Sequence, residues 1–265
     1  MTKMPDPVVI LGLGFTTQHL ARRLRRRGAP VYAAVRRPER FAEFAALGVQ
    51  IGNLESDGIP KGAVLVHSVP PLPEPERAAI RALIFEIEPR RILYISSTGI
   101  YGAQTHVSAD SQAAPNDDKG RARVDEEEWI AATRSLVLRS AAIYGPGRGI
   151  HMRLREGKLP RGAGGVVSRI HVDDLAAMLD AGIESNVEGA WPVADDHPAP
   201  SEEVAEWCAR LMGLSLPSGF AAGFPVTGRH VDGRAIRKLL GVELKYASYQ
   251  AGIPASLEQE QADAG

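Results

Sequence analysis

Val8-Val9-Ile10-Leu11 is an unbroken apolar run that turns at Gly12-Leu13-Gly14 into a stretch of helical periodicity beginning Phe15-Thr16-Thr17. Few folds begin this way. A buried strand delivers the backbone to a tight turn, and the helix that follows aims its free N-terminal amides at an anion, as in nucleotide-binding βαβ units. Only the first two glycines of G-x-G-x-x-G are present, because Thr17 holds the third position, and two glycines alone are a weak signal. Thr16 and Thr17 are expected to offer hydroxyls to a phosphate. The β-branched Thr17 is also expected to loosen the helix–strand contact that a glycine would tighten.

The rest of the chain continues in the same style. Short Val- and Ile-rich runs at 8–11, 31–35, 49–51, 64–68, 92–96, 136–138 and 167–170 read as strands. Segments 17–27, 40–47, 75–88, 120–133 and 174–184 read as helices between them, the last with Asp173 as N-cap. The strands lack polar alternation, as in a parallel sheet covered by helices on both faces. The expected fold class is α/β, a doubly wound parallel Rossmann sheet over residues 1–186. Beyond it the rhythm changes. A strand at 190–193, a helix at 201–212 with Ser201 as N-cap, a loop through 222–228 and a helix at 234–240 predict a smaller C-terminal substrate lobe over 187–255. Residues 256–265 are polar and read as a flexible tail.

Bulk properties narrow the partners. A net charge of -1 over 265 residues gives no electrostatic reason to expect nucleic acid or an anionic membrane. The basic cluster Arg22, Arg23, Arg25, Arg26 and Arg27 falls towards a helix C-terminus, where cations complement the dipole, and reads as a solvated face. Cys208 is the single cysteine, which rules out an intrachain disulfide, and its apolar neighbours suggest packing. The first strand starts within ten residues of Met1 and no apolar run is long enough to span a membrane. A cytoplasmic protein is the expectation.

Three later segments add to the glycine turn. Ile95-Ser-Ser-Thr-Gly-Ile-Tyr-Gly102 follows the fifth expected strand, Leu138-Arg-Ser-Ala-Ala-Ile-Tyr-Gly-Pro-Gly-Arg148 follows the sixth, and Arg169-Ile-His-Val-Asp-Asp-Leu-Ala176 leads into a helix. In this order they resemble the extended short-chain dehydrogenase/reductase family of NAD(P)-dependent sugar epimerases and dehydratases, over roughly residues 8 to 250. The resemblance implies a catalytic Ser with a Tyr-x-x-x-Lys pair, the Tyr moving a proton while the Lys lowers its pKa and holds the cofactor ribose. Ser97 falls on the Ser position. Lys119 stands where the Tyr belongs and Arg123 where the Lys belongs, and no tyrosine lies between Tyr101 and Tyr144. A lysine titrates near tyrosine (about 10.4 against about 10), so Lys119 becomes a possible acid if burial beside Arg123 lowers it. The alternative makes Lys119 and Arg123, with Asp125 and Glu126–Glu128, solvent-facing charges of an amphipathic helix. Tyr101 and Tyr144 end strands and read as packing.

The same resemblance places cofactor contacts at Gly12, Leu13, Gly14, Phe15, Thr16 and Thr17, at Ser68, Val69 and Pro70 beneath the pyrophosphate, and at Ser96, Ala142 and Ile143. The second strand ends in Arg36-Arg37, with no carboxylate to hold an adenosine ribose, so a 2′-phosphate fits better and NADP is expected over NAD. Asn53 is expected beside the adenine. His171 with Asp173 and Asp174 lacks a ligand set, so no metal is expected. The resulting expectation is an NADP(H)-binding oxidoreductase or epimerase/dehydratase acting on a small hydroxyl- or carbonyl-bearing molecule, sugar-nucleotide substrates included. The alternative is a non-catalytic NADP(H) sensor.

Overall fold

The computed structural model describes residues 6–55, 57–158, 165–217 and 228–264. Its centre is a seven-stranded sheet made of β1 (Val8–Leu11), β2 (Val31–Ala34), β3 (Gln50–Gly52), β4 (Val64–His67), β5 (Arg91–Ser97), β7 (Ser135–Ser140) and β11 (Gly189–Val193). Every pairing in it is parallel, in the order β11-β7-β5-β4-β1-β2-β3. Helices α1 (Phe15–Arg26) and α6 (Val172–Glu184) pack on one face, α3 (Glu76–Ile87) and α4 (Asp118–Ile130) on the other, and α2 (Ala42–Ala46) flanks β3. The strands read as continuous apolar runs for this reason. All four residues of β1 are at most 1% exposed, and side chains of that size each stabilise by about 1.5–3 kcal/mol when buried.

After β3, at the edge of the sheet, the chain crosses over to β4, so that β2 and β4 both flank β1. Crossovers therefore diverge at the C-terminal ends of β1 and β4, where open α/β sheets bind ligands. Gly12 and Ser68 stand at those two ends.

A smaller lobe closes over this edge. It comprises β6 (His106–Val107), β9 (Val166–Val167), β12 (Ala199–Pro200) and β13 (Gly228–Val231) in one small sheet, and the parallel pair β8 (Ala142–Tyr144) with β10 (Arg169–His171). Helices α5 (Ile150–Arg155), α7 (Ser201–Met212) and α9 (Tyr249–Ala264) complete it, with Leu154, Val204, Cys208, Tyr249 and Ile253 as its core, while α8 (Arg234–Leu240) returns to pack Ile236 into the core of the main sheet beside β11 and α6. Burial pushes the Cys208 thiol up to about 12, in keeping with a packing role.

Several expectations are corrected here. The seventh strand of the main sheet is β11, so the lobe does not begin at 187. Residues 167–170, read as one sheet strand, split between β9 and β10 of the two small sheets, because the lobe is assembled from both halves of the chain. The expected tail is the end of α9. Its Glu260 accepts from the Gly147 amide at 2.7 Å, lies 3.0 Å from His151 Nε2 and pairs with Arg155. A polar stretch can be ordered when its charges bind inward. The N-cap of α6 is His171, whose Nδ1 accepts from the Asp173 amide, and α7 starts at Ser201 with Pro200 before it. The loop at 222–227 lies outside the described residues.

The arginines of α1 are used structurally. Arg23 and Arg27 pair with Asp180 at 2.7 and 2.9 Å, and Arg27 reaches Glu184, so they staple α1 to α6.

Candidate active site

A cleft of about 710 Å³ opens over the ends of β1, β4 and β5 and is roofed by the lobe. Of the expected cofactor residues, Gly14, Phe15, Thr16, Thr17, Ser68, Pro70, Ser96, Ala142 and Ile143 line it, together with Ser97 and Arg123. Gly12 holds φ +86°, where a side chain is strained, and an added Cβ would press on Ser68 and Val69 at 3.1 Å. Gly14 differs. Its φ of -86° suits any residue, and an added Cβ would meet nothing within 4 Å. Open space thus adjoins the free amides at the start of α1, as an anion site requires.

Thr17 departs from expectation. Its hydroxyl donates to the Gly12 carbonyl at 2.7 Å, and Ser68 Oγ donates to the same oxygen at 2.6 Å. A hydroxyl has one proton, so neither is left to donate to phosphate. Thr17 is fully buried, and its bond to the turn replaces the close contact a glycine would allow. Leu13 points into the core and Val69 packs against it, leaving only their backbones to a ligand. Arg36, Arg37 and Asn53 are exposed at the C-terminal ends of β2 and β3, on the same rim but outside the cleft's lining.

Ser96 Oγ lies in the cleft, buried and without a hydrogen-bond partner. An unpartnered buried hydroxyl is costly and fits a site built for a polar ligand. Sequence reasoning missed Arg148, whose guanidinium sits 5.1 Å over the Phe15 ring at the cleft wall. It also missed Arg229, which donates to Gln104 O at 3.1 Å and to the carbonyls of Thr98 and Gly102, bracing the turn after β5. The run Gly145-Pro-Gly-Arg148 was a sequence signal for the first; nothing local marked the second.

Ser97, Lys119 and Arg123 converge at an adjoining cleft of about 820 Å³, which shares Pro70, Ser97, Gly99 and Arg123 with the first. Ser97 Oγ accepts from the Gly99 amide at 3.1 Å, so its own proton remains to be donated. Lys119 is exposed in the first turn of α4, so the burial on which its reading as an acid depended is absent. Arg123 is half-buried one turn further on. The solvent-facing reading holds for Asp125 and Glu128, which are exposed, and fails for Glu126 and Glu127. Glu126 pairs with Arg81 at 2.8 Å and Glu127 with Arg139 at 2.8 Å, and both carboxylates are buried. These two pairs fasten α4 to α3 and to β7, so removing one partner would strand a buried charge at about 3–5 kcal/mol.

The tyrosines are structural. Tyr101 OH accepts from Arg139 at 3.2 Å, Tyr144 OH donates to Ser248 O at 3.1 Å, and burial pushes both pKa values up. His171, Asp173 and Ser256 superficially resemble a triad. However, Ser256 Oγ donates to Gly252 O at 2.7 Å, so His171 Nε2–H donates to Ser256 Oγ at 3.1 Å, and Asp173 pairs with His19 at 2.7 Å. Asp195 is buried beside Arg169, and desolvation pushes it up to about 7. No His/Cys/Asp/Glu cluster among the described residues could hold a metal, and none of their helices is long and apolar enough to cross a membrane.

Burial lowers His171 to about 4, against about 6.5 for a free imidazole. Between those values the unfolded chain binds more protons. The stability from this group is complete above about pH 6.5 and is lost as pH falls towards 4, by up to about 1.4 kcal/mol per pH unit. His171→Asn keeps an N-cap acceptor. Urea midpoints from pH 8 to 4 should fall less steeply in that variant; an unchanged slope would contradict the assignment.

No family model matches the chain. A conserved protein of unknown function from Silicibacter pomeroyi is 30% identical, with 97% of this chain and 99% of that one covered at a TM-score of 0.76. A protein assigned as an NAD-dependent epimerase/dehydratase from Methylobacillus flagellatus is 26% identical, with the same coverage and a TM-score of 0.77. A curated relative, 3-diazoavenalumate denitrifying reductase from a Streptomyces species, is 37% identical over 107 residues. That match spans 37% of this chain and 35% of the relative.

Proposed function

Because this chain belongs to the extended short-chain dehydrogenase/reductase family, in its NAD-dependent epimerase/dehydratase-like branch, we propose that it is an NADP(H)-dependent reductase of a small unsaturated or carbonyl-bearing acceptor. The α1 amides and the open space at Gly14 would hold the pyrophosphate, and Ser96 a further polar group of the dinucleotide. Arg36 and Arg37 would hold a 2′-phosphate, with Asn53 at the adenine. The bound nicotinamide supplies hydride.

The observation that carries the reductive direction is the set of hydrogen-bond donors gathered beside that step. Ser97 has a proton to give, and Lys119 and Arg123 bring standing positive charge. Of the nearby carboxylates, Asp117 caps α4 by accepting from the Gly120 amide at 2.7 Å and Asp118 pairs with Arg121 at 2.5 Å. Epimerisation and dehydration through a keto intermediate both start by taking a proton from a hydroxyl, and the position the family gives to its proton-moving tyrosine here holds Lys119. Addition to an acceptor instead builds negative charge, which Ser97 and the two cations stabilise. The name of the curated reductase agrees with this direction.

Net cofactor consumption separates the readings. With the full-length protein, members of a panel of enals, enones and α,β-unsaturated aryl acids should deplete NADPH stoichiometrically, and UDP-glucose should be returned unchanged. Epimerised or dehydrated sugar without net NADPH loss would overturn the proposal. Tight NADPH binding with no turnover across the panel would favour a sensor.

A further inference from the structure

The second cleft has two unlike walls. One is Pro70-Pro71-Leu72-Pro73, in which three residues have no amide N–H and none has a polar side chain. The other is the start of α4, where Lys119 and Arg123 stand four residues apart and share a face. That placement is unfavourable for the helix itself. Like charges at this spacing repel, and cations near a helix N-terminus oppose the dipole. Neither cation is in an ion pair among the described residues, while Asp117 caps α4 and Asp118 pairs with Arg121. Against the one carboxylate here without an ion pair, Asp117, these two cations leave a surplus of positive charge at this wall, which an anion between them would offset.

We infer that this cleft takes a planar organic carboxylate, its apolar body against the prolines and Leu72 and its carboxylate on Lys119 and Arg123. Ser97, at the junction with the first cleft, then faces the reacting end. The inference rests on the reading that the first cleft holds the dinucleotide, and it names the substrate class of the same site. A sugar ring fits poorly, since its several hydroxyls would be buried against a wall whose one donor is the Leu72 amide.

Titration calorimetry of the full chain with trans-cinnamate, methyl cinnamate and UDP-glucose, each with and without NADPH, tests this. Cinnamate should bind at least about tenfold more tightly than its ester, the margin expected of charge-assisted hydrogen bonds. The double variant Lys119→Gln/Arg123→Gln, with its fold checked by circular dichroism, should erase that preference and leave ester affinity unchanged. Equal affinity for acid and ester, no binding of cinnamate, a preference that survives both substitutions, or displacement of cinnamate by tighter-binding UDP-glucose each overturns the inference. Binding of NADPH without cinnamate sinks only the carboxylate assignment; cinnamate without NADPH sinks only the dinucleotide reading.

Discussion

Gly14→Asp is expected to leave the protein folded and to weaken dinucleotide binding on the order of 10³-fold, since a like charge in a phosphate site costs several kcal/mol. Gly14 is already in an extended conformation open to any residue, and a Cβ there touches nothing, so the native state tolerates the change. The carboxylate would occupy the space that the α1 amides face, and would accept from them itself. Gly12→Ala makes the contrast. Its positive φ and its contacts with Ser68 and Val69 predict lost stability as well as lost binding. Thermal melts with NADPH titrations on both variants check the pair; a Gly14→Asp protein that binds normally would place the dinucleotide elsewhere.

Arg36→Ala/Arg37→Ala is expected to weaken NADPH by about 10–100-fold, the range for losing charge-assisted bonds to an exposed phosphate, and NADH by less than about twofold. Both guanidinium groups are exposed at the end of β2, and no carboxylate precedes Glu39 to hold an adenosine ribose instead. Because only NADPH carries the 2′-phosphate, the ratio of the two affinities isolates the contact from any general loosening of the rim. The preference should also weaken with added salt, as exposed charge pairs do. Equal losses for the two nucleotides would remove the basis for NADP over NAD.

How far the sequence disclosed all this depended on whether the signal was local. β1, α7 and α8 were legible to the residue, because an apolar run or a capped periodic stretch is complete within itself. Ser97, Lys119 and Arg123 could be brought together because strand, turn and helix occur in a known order. Side-chain orientation was less accessible. Glu126 and Glu127 read as surface charge until Arg81 and Arg139, distant in sequence, proved to meet them inside. Thr17 read as a phosphate donor because nothing near it announced that the Gly12 carbonyl would take its proton. The tail looked disordered for the same reason, since the partners of Glu260 lie more than 100 residues upstream. Arg229 shows the limit most clearly, since its role is defined wholly by carbonyls of another lobe.

Amide hydrogen exchange with and without NADPH bears most directly on where the dinucleotide sits. Slowed exchange at residues 13–17, together with the strand ends at 95–97 and 141–143, is the predicted outcome. Unchanged exchange at 13–17 under saturating nucleotide, in a protein that is demonstrably folded, would contradict it.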